Sequence, residues 1–198
     1  MDKETGISLA YLRVFAEGRE IGEAIPRKFD PGDNDVLWSP DSSKFFVNRD
    51  GEQAIGVFWM DLYQLNDPKL TPIDITASAL RDMVKTFPPC RARGLLYDCE
   101  QLTADPGSFI NVSGVDWLPD SSAIVVMAEV MPSSRFGGIM GQVMGYVIEV
   151  PSGKILQRMN AQEFAKRWQH SLAFKFEDPG SPEYINETVE EKKRKTAH

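Results

Sequence analysis

The stretch that decides the fold occurs twice: residues 36–47 read VLWSPDSSKFFV, and residues 115–126 read VDWLPDSSAIVV. Seven of the twelve positions are identical at an offset of 79 residues, and a tryptophan is among them. A match of this length within one chain indicates an internal duplication. The identical pairs are Val36 and Val115, Trp38 and Trp117, Pro40 and Pro119, Asp41 and Asp120, Ser42 and Ser121, Ser43 and Ser122, and Val47 and Val126.

Each copy predicts a β-hairpin. The proline presets φ near −65° at the second position of a turn, and the aspartate accepts a hydrogen bond from the backbone two residues on. The flanking runs are rich in the β-branched and aromatic residues typical of strands. In the second copy, residues 122–127 are apolar at nearly every position, so we expect that strand to be covered on both faces. Asp41 and Asp120 are interpreted as structural turn residues before they are considered as a carboxylate pair.

The similarity continues downstream in looser form. GVFWMDL (56–62) resembles GYVIEVPSGK (145–154), and the predicted helix starts at Thr76 and Asn160 also correspond. Thr76 is expected to be an N-cap, and Asn160 followed by Glu163 is a variant of the capping box. Each half thus predicts a strand, the Pro-Asp turn, a strand, a longer connection, a strand, a loop and a helix.

The paired motifs W-S-P-D-S-S-K and W-L-P-D-S-S resemble the repeat of TolB-type β-propellers, a WD40-like family. In that family the motif marks the turn between two blade strands, and a later strand ends near an acidic residue, as at Asp61 and Glu149 here. Two copies are too few for a ring of four or more blades, so the resemblance implies blade-like antiparallel sheets and not a complete propeller. It also implies a protein-binding scaffold, a role often found outside the cytoplasm in bacteria.

The expected fold class is therefore mainly β with two or three short helices, in which duplicated antiparallel blade-like β-meanders pack as one compact domain. This domain spans 1–178 and contains two related halves, about 30–90 and 110–170, that share a core. An N-terminal hairpin is predicted where ISLAYLRVF (7–15) and GREIGEAI (18–25) flank a tight turn. The charged tail 179–198 lacks apolar periodicity and is expected to be mobile.

Composition and charge exclude several classes of function. The 198 residues are 42% apolar and carry a formal net charge of −7, which argues against broad nucleic-acid binding because that function needs a basic face. Apolar runs are too short to span a membrane. No phosphate loop, dinucleotide fingerprint, EF-hand loop or zinc-binding helix motif occurs, so we expect neither a cofactor nor a metal.

Two cysteines, Cys90 and Cys99, are spaced too widely for a CxxC redox or zinc pair. They are either two unrelated buried thiols or a disulfide that closes a small loop, and a catalytic thiol is the least favoured reading. The N-terminus lacks the basic region of a signal peptide. A disulfide together with a removed leader would place the protein in the periplasm or outside the cell; otherwise we expect it in the cytoplasm.

The preferred function is a non-enzymatic protein-binding module, and a bacterial inhibitor or immunity protein that blocks a cognate basic enzyme or toxin fits this profile. The candidate contacts lie in the Gly- and Met-rich loop and the Cys90–Cys99 loop: Arg135, Phe136, Met140, Arg91 and Arg93. One alternative is a structural subunit or propeller-like fragment completed by oligomerisation. Another is a hydrolase that uses carboxylates or His170, the one histidine away from the C-terminus.

Overall fold

A computed structural model describes residues 10–16, 18–27, 34–49, 59–66, 69–86, 104–131, 139, 141–168 and 171. These residues form two α-helices, α1 (Thr76–Thr86) and α2 (Ala161–Trp168), and a short 3-10 helix at Pro106–Ser108. They also form ten strands: β1 Ala10–Ala16, β2 Arg19–Arg27, β3 Asn34–Trp38, β4 Lys44–Arg49, β5 Trp59–Asn66, β6 Lys69–Ile73, β7 Ile110–Trp117, β8 Ala123–Val130, β9 Val143–Glu149 and β10 Ile155–Asn160.

The strands form three antiparallel sheets. β1 and β2 make the predicted N-terminal hairpin, β3-β4-β5-β6 make what we call the first sheet, and β7-β8-β9-β10 make the second sheet. Both four-stranded sheets are meanders, because strands adjacent in sequence are also adjacent in the sheet. The predicted fold class, mainly β with antiparallel meanders in one compact domain, is confirmed.

Each meander contains one strand more than the sequence predicts. β6 and β10 are the fourth strands, and both lie at sheet edges. Most of their side chains face solvent, and β6 contains Pro72, which lacks the backbone N–H that a central strand would need. These edge strands therefore carry little of the apolar pattern by which strands are identified.

The main core lies between the two sheets. Phe46, Met60 and Leu62 of the first sheet pack with Trp117 and the facing apolar side chains of the second sheet, and α1 contributes to the same cluster. α2 covers the other face of the second sheet, with Phe164 fully buried. The hairpin covers part of the other face of the first sheet, where its residues pack with Phe45, Val47 and Tyr63. The order of layers is thus hairpin, first sheet, second sheet, α2.

Strand β8 is covered on both faces, as its uninterrupted apolar sequence predicts. Alternate residues belong to the core between the sheets and to the cluster beneath α2. The side chains toward the first sheet are Ile124, Val126 and Ala128, and those toward α2 are Ala123, Val125 and Met127. Each large apolar side chain buried in this way contributes about 1.5–3 kcal/mol to folding.

The two helices begin differently. The backbone N–H of Asn160 donates to Glu163 Oε2 at 3.0 Å, and that of Glu163 donates to Asn160 Oδ1 at 2.9 Å, which is the predicted capping box. At α1 the cap is Asp74, whose Oδ1 accepts from Ala77 N–H at 3.3 Å and from the Thr76 hydroxyl at 3.0 Å. Thr76 is thus a donor to the cap and not the N-cap predicted from the sequence.

A charged contact ties α1 to the second sheet. Arg158 of β10 donates through Nε to Asp82 Oδ2 at 2.6 Å and through its terminal amino group to Oδ1. Asp82 lies on α1 and is buried. Burial and the Asp82 carboxylate raise the pKa of the adjacent Tyr146, so its hydroxyl stays protonated. This cluster joins the helix that follows the first sheet to the last strand of the second.

Candidate binding surface

The two motif turns fold alike. Ser39 N–H donates to Lys44 O at 2.8 Å, and the equivalent bond 79 residues on joins Leu118 N–H to Ala123 O at 2.9 Å. The turns also contact each other, because Asp41 N–H donates to Ser121 Oγ at 3.1 Å. Each copy of the motif therefore closes its own hairpin turn, and the two turns together form part of the interface between the halves.

Asp41 and Asp120 each hold their own turn. Asp41 Oδ1 accepts from the Ser39 hydroxyl at 2.6 Å and from Ser43 N–H at 3.0 Å, and Asp120 Oδ1 accepts from the Ser122 hydroxyl at 2.7 Å. Hydrogen bonds from these serines, Ser39 first for Asp41 and Ser122 first for Asp120, hold the pKa of both carboxyls below the usual value. A general acid in a hydrolase needs a raised pKa, so neither carboxyl is suited to that role.

Ser42 and Ser121 occupy the same motif position, with φ of 57° and 59°, in the left-handed region that favours glycine. Ser42 is exposed, so Ser42→Gly is expected to raise the free energy of unfolding by about 0.5–1 kcal/mol. Ser121→Gly relieves the same strain but loses the hydrogen bond from Asp41 N–H. Urea denaturation should therefore show a clear gain only for Ser42→Gly, and equal gains would mean that the bond between the turns contributes nothing.

The repeated tryptophans have different surroundings. Trp117 is buried, its Nε1–H donates to Leu37 O at 3.2 Å, and its ring centroid lies 6.1 Å from that of Phe46 in the first sheet. Trp38 occupies the equivalent position in the first half, where its ring packs on Phe45 with centroids 4.7 Å apart. Trp38 is nevertheless 39% exposed, because the hairpin covers this face of the first sheet only in part.

An apolar surface surrounds Trp38. Val36 and Leu37 are 45% and 39% exposed, so three consecutive large apolar side chains on β3 contact solvent. The register pairs Trp38 with Phe45 and Phe45 with Tyr63, so side chains an even number of residues from these lie on the same face. That face carries Val36 and Trp38 on the edge strand β3 and the exposed Trp59 two strands away, opposite Arg49; we call these three side chains the tryptophan patch, whereas Leu37 lies on the opposite face.

Charge within this surface is balanced. The Arg49 guanidinium carbon lies 5.5 Å from the ring centroid of Trp59, and Arg49 Nε lies 2.6 Å from Asp61 Oδ2. The stacked guanidinium orders the indole, and the carboxylate neutralises the cation. Tryptophan and arginine are the residue types that contribute most of the binding energy at protein interfaces. The patch therefore has the composition of a protein-binding surface.

The binding residues predicted from the sequence lie outside the described residues: Arg91, Arg93, Arg135, Phe136 and Met140. The possible disulfide of Cys90 and Cys99 lies there as well, together with His170. The sequence did not single out Val36, Trp38 and Trp59 as exposed.

The described ranges hold no group of three His, Cys, Asp or Glu side chains placed to bind an ion. No helix within those ranges has the length and hydropathy needed to cross a membrane. No family model, curated protein or solved structure matches this chain.

Proposed function

We propose that this protein is a non-enzymatic protein-binding module that engages a partner protein through the tryptophan patch. The observation that carries the proposal is the run of exposed Val36, Leu37 and Trp38 on one strand, with exposed Trp59 on the same face as Trp38. Soluble proteins rarely leave large apolar side chains clustered in water unless they bind something. Burying two indole rings and a valine would supply the centre of an interface.

The acidic net charge supports a basic partner. At −7 the chain attracts a positively charged protein and speeds its diffusional encounter, whereas the neutral Arg49–Asp61 pair leaves no net charge inside the apolar surface to be desolvated. A module of this kind fits an inhibitor or immunity protein that blocks a cognate basic enzyme. Under this proposal the association rate falls as salt is raised, because screening weakens the steering.

The layer order favours a different protein over a ring of identical copies. A head-to-tail ring would need a free face at each end of the stack. At the far end, α2 already covers the second sheet, and Phe164 lies so close to Gly145 that no side chain fits between them. Among the described residues, most of the exposed large apolar side chains lie on the hairpin and the first sheet, and we favour a hetero-complex over completion by oligomerisation.

The test is capture of a partner by the immobilised full chain. We expect wild type to retain one protein from an extract of the source organism that the double variant Trp38→Ser, Trp59→Ser does not retain. Leu156→Ser is the matched control, because Leu156 is a 48% exposed apolar residue on the second sheet. The retained protein is then purified and mixed with the chain, and native mass spectrometry should show a stoichiometric complex.

Two results would contradict the proposal. One is that no retained protein re-forms a stoichiometric complex when purified. The other is that the double variant, shown by circular dichroism to be folded, retains the partner as well as wild type does.

A further inference from the structure

We propose that the partner binds by adding an extended β-strand to the free edge of β3, so that the first sheet gains a fifth strand. This inference rests on the proposed function and specifies how the tryptophan patch is used. Strand addition satisfies the backbone groups of an edge strand and lets the side chains on its two faces select the added sequence. The edges of the two four-stranded sheets differ in how well they are protected against strand pairing.

Two edges carry features that block strand pairing. β6 contains Lys69 and Pro72, and a charged side chain and a proline are both devices that natural proteins use to protect an edge. β10 has a register shift between Ile155 and Gln157, and its exposed Arg158 is held by Asp82. Irregular or charged edges of this kind do not accept a further strand readily.

The third edge, β7, is protected by the first half of the molecule. Its register with β8 shifts between Gly114 and Asp116, as at a β-bulge. The amide of Asn48 occupies the backbone there: Gly114 N–H donates to Asn48 Oδ1 at 2.8 Å, and Asn48 Nδ2 donates to Gly114 O at 2.7 Å. One side-chain amide thus makes the two hydrogen bonds that a neighbouring strand would make.

The fourth edge, β3, is the most regular of the four, although it contains Asp35 and its Leu37 O accepts from Trp117 Nε1–H. Its five residues pair with β4 in an unbroken register, and the strand contains no proline, lysine or bulge. No strand among the described residues pairs with its other side. The side chains of Val36, Leu37 and Trp38 on β3 are exposed to solvent. A regular apolar edge of this kind is the arrangement that accepts an added strand.

The surface also defines the chemistry of the added strand. Val36 and Trp38 lie on one face and Leu37 on the other, so the strand needs apolar side chains on both of its faces. The net charge of −7 favours a strand with basic residues at its ends. β4 shows that such a sequence pairs with β3, because KFFVNR places Phe45, Phe46 and Val47 between Lys44 and Arg49.

The probe is therefore a capped synthetic peptide with the sequence of Lys44–Arg49, added to the full-length chain. We expect saturable one-to-one binding by calorimetry, a blue shift of tryptophan emission, and slower amide exchange of residues 34–38. Val36→Lys should weaken peptide binding at least tenfold, because it introduces a charge at the edge. Leu156→Lys, an equally exposed substitution on β10, should change the affinity less than twofold.

Three outcomes would overturn strand addition. The first is that the peptide does not bind. The second is that a peptide carrying Phe46→Pro binds as tightly, because strand pairing needs the backbone N–H that proline lacks. The third is that the chain alone forms a dimer that Val36→Lys dissociates, which would make a second copy the occupant. Failure here leaves the proposed function intact if partner capture still depends on Trp38 and Trp59, so the two failures are distinguishable.

Discussion

A Gly145→Ala substitution is expected to lower the free energy of unfolding by about 2–3 kcal/mol, because it places a methyl group where the ring of Phe164 already lies. A Cβ at Gly145 would be 2.1 Å from Phe164 Cδ2 and 2.7 Å from Phe164 Cγ. The ring cannot turn aside, since Phe164 is fully buried among the residues beneath α2. The helix must therefore move away from β9, and its apolar contacts with the second sheet are lost.

The matched control is Gly107→Ala in the short 3-10 helix. A Cβ there meets its nearest atoms at 3.9 Å and 4.0 Å, which is ordinary van der Waals contact. We expect Gly107→Ala to change the free energy of unfolding by less than about 0.5 kcal/mol. Urea denaturation followed by circular dichroism measures both variants. Equal stabilities of the two alanine variants would show that Phe164 does not pack against Gly145 as described.

Asn48→Ala is the second substitution with a large expected effect, a loss of about 2–3 kcal/mol in the free energy of unfolding. It removes both hydrogen bonds from the Asn48 amide to Gly114, whose backbone lies in the buried interface between the sheets. The sheets pack closely at this residue, because a Cβ at Gly114 would lie 2.8 Å from both Phe46 and Met60. The N–H and C=O of Gly114 would be left without partners.

Asn66→Ala serves as the control for this prediction. Asn66 is exposed, and its amide donates to the Thr71 hydroxyl at 3.2 Å within the first sheet. Losing one exposed hydrogen bond should cost less than about 0.5 kcal/mol. If chemical denaturation gives Asn48→Ala and Asn66→Ala the same stability, the Asn48 amide does not hold the two halves together.

The repeat made much of the fold predictable. Twelve residues repeated at a fixed offset defined both motif hairpins, and the capping box of Asn160 and Glu163 placed the start of α2. The fourth strands β6 and β10 could not be predicted in the same way, because edge strands bury few side chains and lack the alternation that identifies inner strands. The capping role of Asp74 depends on a turn geometry that residue type alone does not define.

The candidate site was less predictable, for a physical reason. Trp38 and Trp117 occupy the same position of the repeated motif, yet one is 39% exposed and the other 5%. Their difference arises from what covers each half: a four-stranded sheet lies over Trp117, and a two-stranded hairpin lies beside Trp38. Local sequence describes the strand and its turn, but exposure depends on the neighbouring layer. The binding residues predicted from the sequence therefore lie in loops, and the exposed residues of β3 are not among them.

The two sheets differ in how their apolar side chains are covered. α2 covers the second sheet with a fully buried phenylalanine, whereas the hairpin covers the first sheet only in part and leaves Val36, Leu37 and Trp38 of the edge strand β3 exposed. Clustered exposed apolar side chains are typical of binding surfaces, which is why the proposed binding role is placed at this edge.

The central claim is that the tryptophan patch binds the partner, and calorimetry with the purified partner tests it most directly. The account predicts that Trp38→Ala raises the dissociation constant about thirtyfold or more, as expected for a tryptophan that is buried at the centre of an interface. Val36→Ser leaves the contact of Trp38 with Phe45 in place and should raise the dissociation constant severalfold. Leu156→Ser should leave the dissociation constant unchanged. Unchanged affinity in both folded patch variants would contradict the account.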